Sequence, residues 1–142
     1  MHGVTRVEDD AERADALGVR YAVFVDEQGV PEDVEVDEHE AAATHYVAYA
    51  DGTPVGAARY REHDDATAKI ERVAVRESHR GEGWGAHLMD AVEADAREAG
   101  YERAVLHAQT PVVGFYEARG YEVVGETFEE AGIPHVEMAT RL

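Results

Sequence analysis

The chain has 142 residues, 44% of them hydrophobic, no cysteine, and a formal net charge of −18. That length fits one domain over residues 1–142, and the missing cysteines exclude disulfides, thiolate–zinc sites and a cysteine nucleophile. Such acidity argues against nucleic acid as a partner, and neither residues 1–6 nor any later stretch is apolar enough for a signal or a membrane span, so the chain is expected to stay in the cytoplasm.

Residues 4–7 alternate like a short strand. Asp9 and Asp10 then supply an N-cap for a helix with Ala14, Leu17, Tyr21 and Phe24 along one face. Residues 26–43 are acidic, interrupted by Gly29 and Pro31, and lack sustained periodicity, which predicts a long ordered loop or a loop with one helical turn. His39, His45 and the acids around them lack the spacing of a zinc helix, so the run reads as a solvated charged face rather than a metal site. Residues 44–50 and 54–61 are strand-like and joined through Asp51-Gly52, a hairpin signal. A turn at His63-Asp64-Asp65 leads to a strand over 69–75. After Arg80-Gly81-Glu82-Gly83-Trp84-Gly85 comes a helix with Trp84, Leu88, Val92, Ala96 and Ala99 on one face, stopped by Gly100. A strand over 103–108, a short helix over 112–119 and a closing strand pair over 121–127 and 135–140 complete a mixed α/β order with a central sheet.

Glycines between a strand and a helix leave backbone N–H groups uncovered at a helix N-terminus, where the dipole also favours an anion such as phosphate. Glycines selected only for their backbone angles produce the same pattern, so the loop alone leaves both readings open. The absence of Gly-Lys-Ser/Thr excludes a P-loop nucleotide hydrolase. Gly81, Gly83 and Ala86 meet a loose dinucleotide pattern, but the next strand ends in His107-Ala108-Gln109, where that pattern wants an acid.

Arg80-x-x-Gly83-x-Gly85, preceded by Arg72-Val73-Ala74-Val75 and followed by a helix, resembles the acetyl-CoA signature of the GNAT superfamily. Phe115-Tyr116-Glu117-Ala118-Arg119-Gly120-Tyr121 is similar to that superfamily's Phe-Tyr-Glu-Lys-x-Gly-Phe segment, at the expected distance. Val23-Phe24-Val25-Asp26-Glu27-Gln28, Thr44-His45, Leu106-His107-Ala108-Gln109 and Glu130-Ala131-Gly132-Ile133-Pro134-His135 resemble its ElaA/YjcF-like branch, so the likeness spans nearly the whole chain. It implies the GNAT fold, an α/β (α+β) architecture. Its mixed sheet of six or seven strands is strongly bent and flanked by about four helices, with acyl-CoA wedged where two central parallel strands splay apart.

The resemblance further implies an acetyl-CoA-dependent N-acetyltransferase. It would move an acetyl or other short acyl group to a primary amine of a small molecule or protein, by direct attack in a ternary complex. The pyrophosphate would rest on the amides of Arg80, Gly81, Glu82, Gly83, Trp84 and Gly85, with the Arg80 side chain adding charge and the Trp84 side chain in the core. The pantetheine arm would pair with the strand edge at Val73, Ala74 and Val75, where an amide also polarises the thioester carbonyl. Tyr116 would protonate the departing thiolate, the bland alternative being a core tyrosine packed on Phe115. Where the superfamily usually carries asparagine, this chain has Gln109, whose longer amide is expected to reach the CoA arm.

Two residues are candidates for the base. Glu71 lies two positions before the pantetheine edge and is equally able to pair with Arg59 or Arg61; His107 lies near the end of the facing strand, where histidines are also often structural. His135 is expected near the acceptor pocket, and no metal is implied. A net-negative lining from residues 26–43 and the C-terminal strands would favour cationic amines such as polyamines, aminoglycosides or lysine side chains. A non-catalytic CoA-binding module is the alternative function, since the glycine loop needs only backbone to hold its ligand, and a homodimer is one way to cover the apolar strand faces.

Of the 13 basic residues only Lys69 is lysine. Clear periodicity argues against disorder, and molar salt cuts the screening length to about 3 Å, so the acidity reads as adaptation to a high-salt cell. Dialysis into low salt should lower the melting temperature; an unchanged midpoint would count against that adaptation.

Overall fold

Seven strands form one sheet in the computed structural model, which describes residues 1–142. β1 (Gly3–Arg6) leads into α1 (Asp10–Arg20), capped by Asp9, whose carboxylate accepts from the Glu12 N–H. α1 continues without a break as a π-helical segment, Tyr21–Glu27, and one turn, α2 (Glu32–Glu35), interrupts the loop that follows. β2 (Thr44–Ala50) turns at Asp51-Gly52 into β3 (Thr53–Asp64), which leads to β4 (Thr67–Val75). α3 (Trp84–Glu98), β5 (Arg103–Gln109), α4 (Val113–Ala118), β6 (Glu122–Glu130) and β7 (Ile133–Arg141) complete the chain. This is the expected order of elements. The third strand runs through the turn expected at His63-Asp64-Asp65, ending only at Asp64.

The strand order is β1-β2-β3-β4-β5-β7-β6, and all neighbours are antiparallel except β4 and β5. α3 lays Leu88, Met89, Val92 and Ala96 on one face, against Ala58, Ile70, Leu106 and Met138. Ala99, expected on that buried face, is exposed beyond the helix end, and Met89 is buried there instead. On the opposite face α1 packs Ala16, Val19 and Val23 against Val47, Tyr49, Ala57 and Ala74. The face expected from Ala14 and Tyr21 therefore points outward, and both residues are exposed. The helix is rotated from that reading because Arg20, one turn from Ala16, turns inward to meet charge.

That charge comes from the acidic run, which is not a solvated face as expected: Glu35 and Glu40 are only 3% and 6% exposed. Arg20 donates to both Glu35 oxygens at 2.9 and 3.1 Å and to both Glu40 oxygens at 3.0 and 2.8 Å. Arg59, wholly buried on β3, donates to Glu40 and Asp37, each at 2.8 Å. Arg72 donates to the Glu35 carbonyl at 3.1 Å and to Asp37 at 3.2 Å. His45 Nε2 lies 2.8 Å from the Glu40 carbonyl, whereas His39 sits at the surface beside Glu38. Burial opposes ionisation of Asp37, but the Arg59 hydrogen bond and charge outweigh it and bring the carboxyl down from 3.8 to about 2.

Removing one partner from a buried pair leaves a desolvated charge behind, so Arg20→Met should cost about 3–5 kcal/mol in urea unfolding. Because the folded Asp37 has the lower pKa, its contribution is complete above about pH 4 and disappears as the pH falls toward about 2. Urea midpoints measured across that window should decline in the parent protein, and less steeply in Asp37→Asn.

Candidate active site

The parallel ladder between β4 and β5 runs from Thr67↔Arg103 to Ile70↔Leu106 and stops. Just beyond it, the β3–β4 register passes from Arg59↔Glu71 to Ala57↔Ala74, so Arg72 and Val73 together oppose Ala58 in a bulge, with Arg72 at φ 57°. A bulge bends its strand, and here it swings β4 away from β5, which stays paired with β7 as far as Gln109↔His135. The gap opens into a cavity of about 690 Å³. Val73, Ala74 and Val75 form one wall, Ala74 and Val75 paired on the β3 side and all three bare of a strand partner on the cavity side.

At one end of the cavity lies the glycine loop. Gly81 and Gly83 take φ of 80° and 89°, which other residues adopt only under strain, and the space a Gly81 side chain would fill is empty to 4 Å. Gly83 is the N-cap of α3 and offers no capping side chain, so the first N–H groups of a 15-residue helix face the loop unclaimed. Arg80 donates from Nε to the Val75 carbonyl at 2.9 Å and from Nη2 to Glu27 at 2.8 Å. The Trp84 side chain belongs to the core, its Nε1–H donating to Glu82 at 3.2 Å.

Tyr116 stands on α4 beside the slot, 8% exposed and packed edge-on against Phe115 and Tyr121. Burial pushes its phenol up to about 12, with the Arg119 charge pulling slightly the other way. Gln109 exchanges two amide hydrogen bonds with Gln28 from the end of the π-helical segment, at 2.8 and 3.3 Å. Together Glu27 and Gln28 touch both lips of the slot, at Arg80 and at Gln109.

The far end is a polar chamber. Glu71 accepts on Oε1 from Arg59 Nε at 3.2 Å and from Arg61 Nε at 2.9 Å, and Lys69 lies 3.7 Å from its Oε2. Burial works against its ionisation, yet the Arg59 and Arg61 charges keep the carboxyl below the usual range. His107 Nδ1 lies 2.7 Å from Glu130 Oε2 and Nε2 3.5 Å from Glu137, with Phe128 edge-on to the ring. The His107 hydrogen bond lowers the Glu130 pKa against its burial. His135 Nδ1 lies 2.7 Å from the Ile133 carbonyl and its ring stacks on Phe128.

Of the residues named from sequence, Glu71, Val73, Ala74, Val75, Arg80, Gly81, Gly83, Trp84, Gly85, His107, Gln109, Tyr116 and His135 all border this one cavity, and Glu82 does not. Of the acidic lining expected from residues 26–43 and the C-terminal strands, only Glu130 of β6 reaches the cavity: residues 26–43 send in only Gln28, because Glu35, Asp37 and Glu40 are turned onto arginines. Sequence reasoning assigned no site role to Lys69, Gln28, Arg72 and Glu130, which also line it. The available signals were that Lys69 is the chain's single lysine and that Gln28, Arg72 and Glu130 lie in the segments that carry the family resemblance.

Comparison with known proteins agrees with this architecture. Residues 8–142 match the family model of the acetyltransferase (GNAT) domain. YjcF of Bacillus subtilis, an uncharacterized N-acetyltransferase, is 46% identical over 125 residues, covering 87% of this chain and 89% of YjcF. The crystal structure of Escherichia coli ElaA superposes with a TM-score of 0.84 at 29% identity, covering 98% of this chain and 99% of that one. An acyl-CoA N-acyltransferase from Pseudomonas aeruginosa gives 0.85 at 28% identity, again over 98% and 99%. With the bulged β4, the splayed parallel pair and the glycine loop capping α3, the chain is a member of the GNAT acetyltransferase family.

Proposed function

We propose that this protein transfers an acetyl or short acyl group from acyl-CoA to a primary amine by direct attack in a ternary complex. One observation carries the reading: an unclaimed helix N-terminus, an unpaired strand edge and a buried phenol border the same slot, in the order in which pyrophosphate, pantetheine and thioester sulfur follow one another in acyl-CoA. The fit is good at each station. The amides of the glycine loop and the Arg80 guanidinium, once released by Glu27, take the pyrophosphate. The edge at Val73, Ala74 and Val75 pairs with the pantetheine amides as an added strand would, and an N–H there polarises the thioester carbonyl.

Tyr116 keeps its proton at neutral pH, since burial raises its phenol to about 12, and gives it to the departing thiolate. Glu71 is a poor base with three cations around it, and serves instead to hold Arg59 and Arg61 in place. His107 takes the proton from the attacking ammonium, oriented by Glu130. The enzyme works in the cytoplasm of a salt-accumulating cell, where its carboxylates are screened; no helix in it is long and apolar enough to cross a membrane.

Calorimetric titration in molar KCl should show binding of acetyl-CoA and CoA but not of NADH or ATP. Tyr116→Phe should lower kcat by about 100-fold while leaving CoA affinity unchanged, within the range for loss of a general acid. Binding without turnover of any amine would mark a non-catalytic CoA module, and equal rates in Tyr116→Phe would remove the tyrosine from the mechanism.

A further inference from the structure

Every basic residue except Lys69 is arginine, and that one lysine is inside the cavity. It sits on β4 two residues before Glu71, so both side chains leave the strand on the same face, beside the wall carrying His107 and His135. The Lys69 side chain is 15% exposed, and its one charged neighbour within 4 Å is Glu71, at 3.7 Å, beyond hydrogen-bond reach. Glu71 does not need it, being supplied by Arg59 and Arg61 at 3.2 and 2.9 Å. Glu130, the other carboxylate of the chamber, is engaged by His107 at 2.7 Å.

An ammonium has three donors, and a largely buried one left without acceptors is costly unless something in the cavity supplies them. An anionic group on a bound substrate supplies them with charge as well as acceptors. Surface lysines have no counterpart elsewhere in this chain, so a general preference for lysine does not account for this one.

We propose that Lys69 selects the acyl acceptor by pairing with an anionic group, carboxylate or phosphate, carried on the same molecule as the reacting amine. This rests on the transferase reading and gives it a substrate class: amines that bear an acid, in place of the polycations suggested by the chain's net charge. Arg59 and Arg61 are not equivalent anchors, because both are already bonded to Glu71.

Having one lysine makes the test direct. Protein labelled with carbon-13 at the lysine ε position gives a single side-chain resonance, which is followed in the CoA-saturated protein. β-Alanine, phosphoethanolamine, propylamine and putrescine are titrated in turn. The proposal expects a saturable shift of the resonance with β-alanine or phosphoethanolamine and none with propylamine or putrescine; whichever acid shifts it identifies the anion. In parallel, acetyl transfer to the same four amines is measured for the parent, Lys69→Gln and Lys69→Arg. Lys69→Gln should raise KM for the acidic amine by about 10- to 100-fold, the range for one lost charged hydrogen bond, with kcat much less affected and with Lys69→Arg recovering part of the loss.

A resonance unmoved by both acids, or moved equally by propylamine, overturns the proposal even if no amine is turned over. Turnover that favours putrescine in the parent, or a preference unchanged in Lys69→Gln, also overturns it while leaving the transferase reading intact. Failure of the parent to bind CoA at the outset instead overturns the transferase reading, and this proposal with it.

Discussion

The site exists because one residue of a central strand holds an unfavourable backbone angle. Arg72 at φ 57° lies where residues with a Cβ are seldom found, and the bulge it forms ends the parallel ladder after Ile70 and Leu106. Had β4 continued straight, Val73 to Val75 would pair with β5 and there would be neither slot nor free edge. The same residue offsets part of the strain, because its guanidinium reaches the Glu35 carbonyl and Asp37 and ties the acidic loop to the bent strand. Bulge, slot and loop are thus one mechanical unit.

The protein combines a strongly negative net charge with an interior where charges are matched. Arg20 and Arg59 are fully buried, and each is met by carboxylates at hydrogen-bond distance. A buried pair adds little to stability compared with apolar packing, but leaving either member alone is expensive, so the pairs act as registration pins for residues 35–40. Their consequence for function is electrostatic. With those acids turned inward, the chamber is lined by Lys69, His107 and His135 beside two carboxylates that already have partners, and the net charge of the chain says little about what the chamber admits.

Slot and loop also touch through Glu27 and Gln28. The first meets Arg80 and the second Gln109, so groups expected to hold the cofactor are engaged by the segment that leads into the acidic loop. The π-helical turns from Tyr21 to Glu27 place both side chains at the slot, one on each lip.

Much of this was legible in the sequence wherever the deciding interaction is local. Alternation marks the strands, Asp9 the start of α1, Asp51-Gly52 the hairpin and Gly81 and Gly83 the loop, because backbone angles and capping hydrogen bonds depend on residues only a few positions apart. Family likeness then brought Tyr116 and the 73–75 edge to the same slot. The inward face of α1 and the burial of Glu35 and Glu40 were not legible, since each depends on a charge many positions away. Arg20 finds Glu40 twenty residues on, and Arg72 finds Asp37 thirty-five residues back. Whether a charged side chain is a solvated ornament or a buried anchor is set by which opposite charge the fold brings to it, and only the tertiary structure decides that.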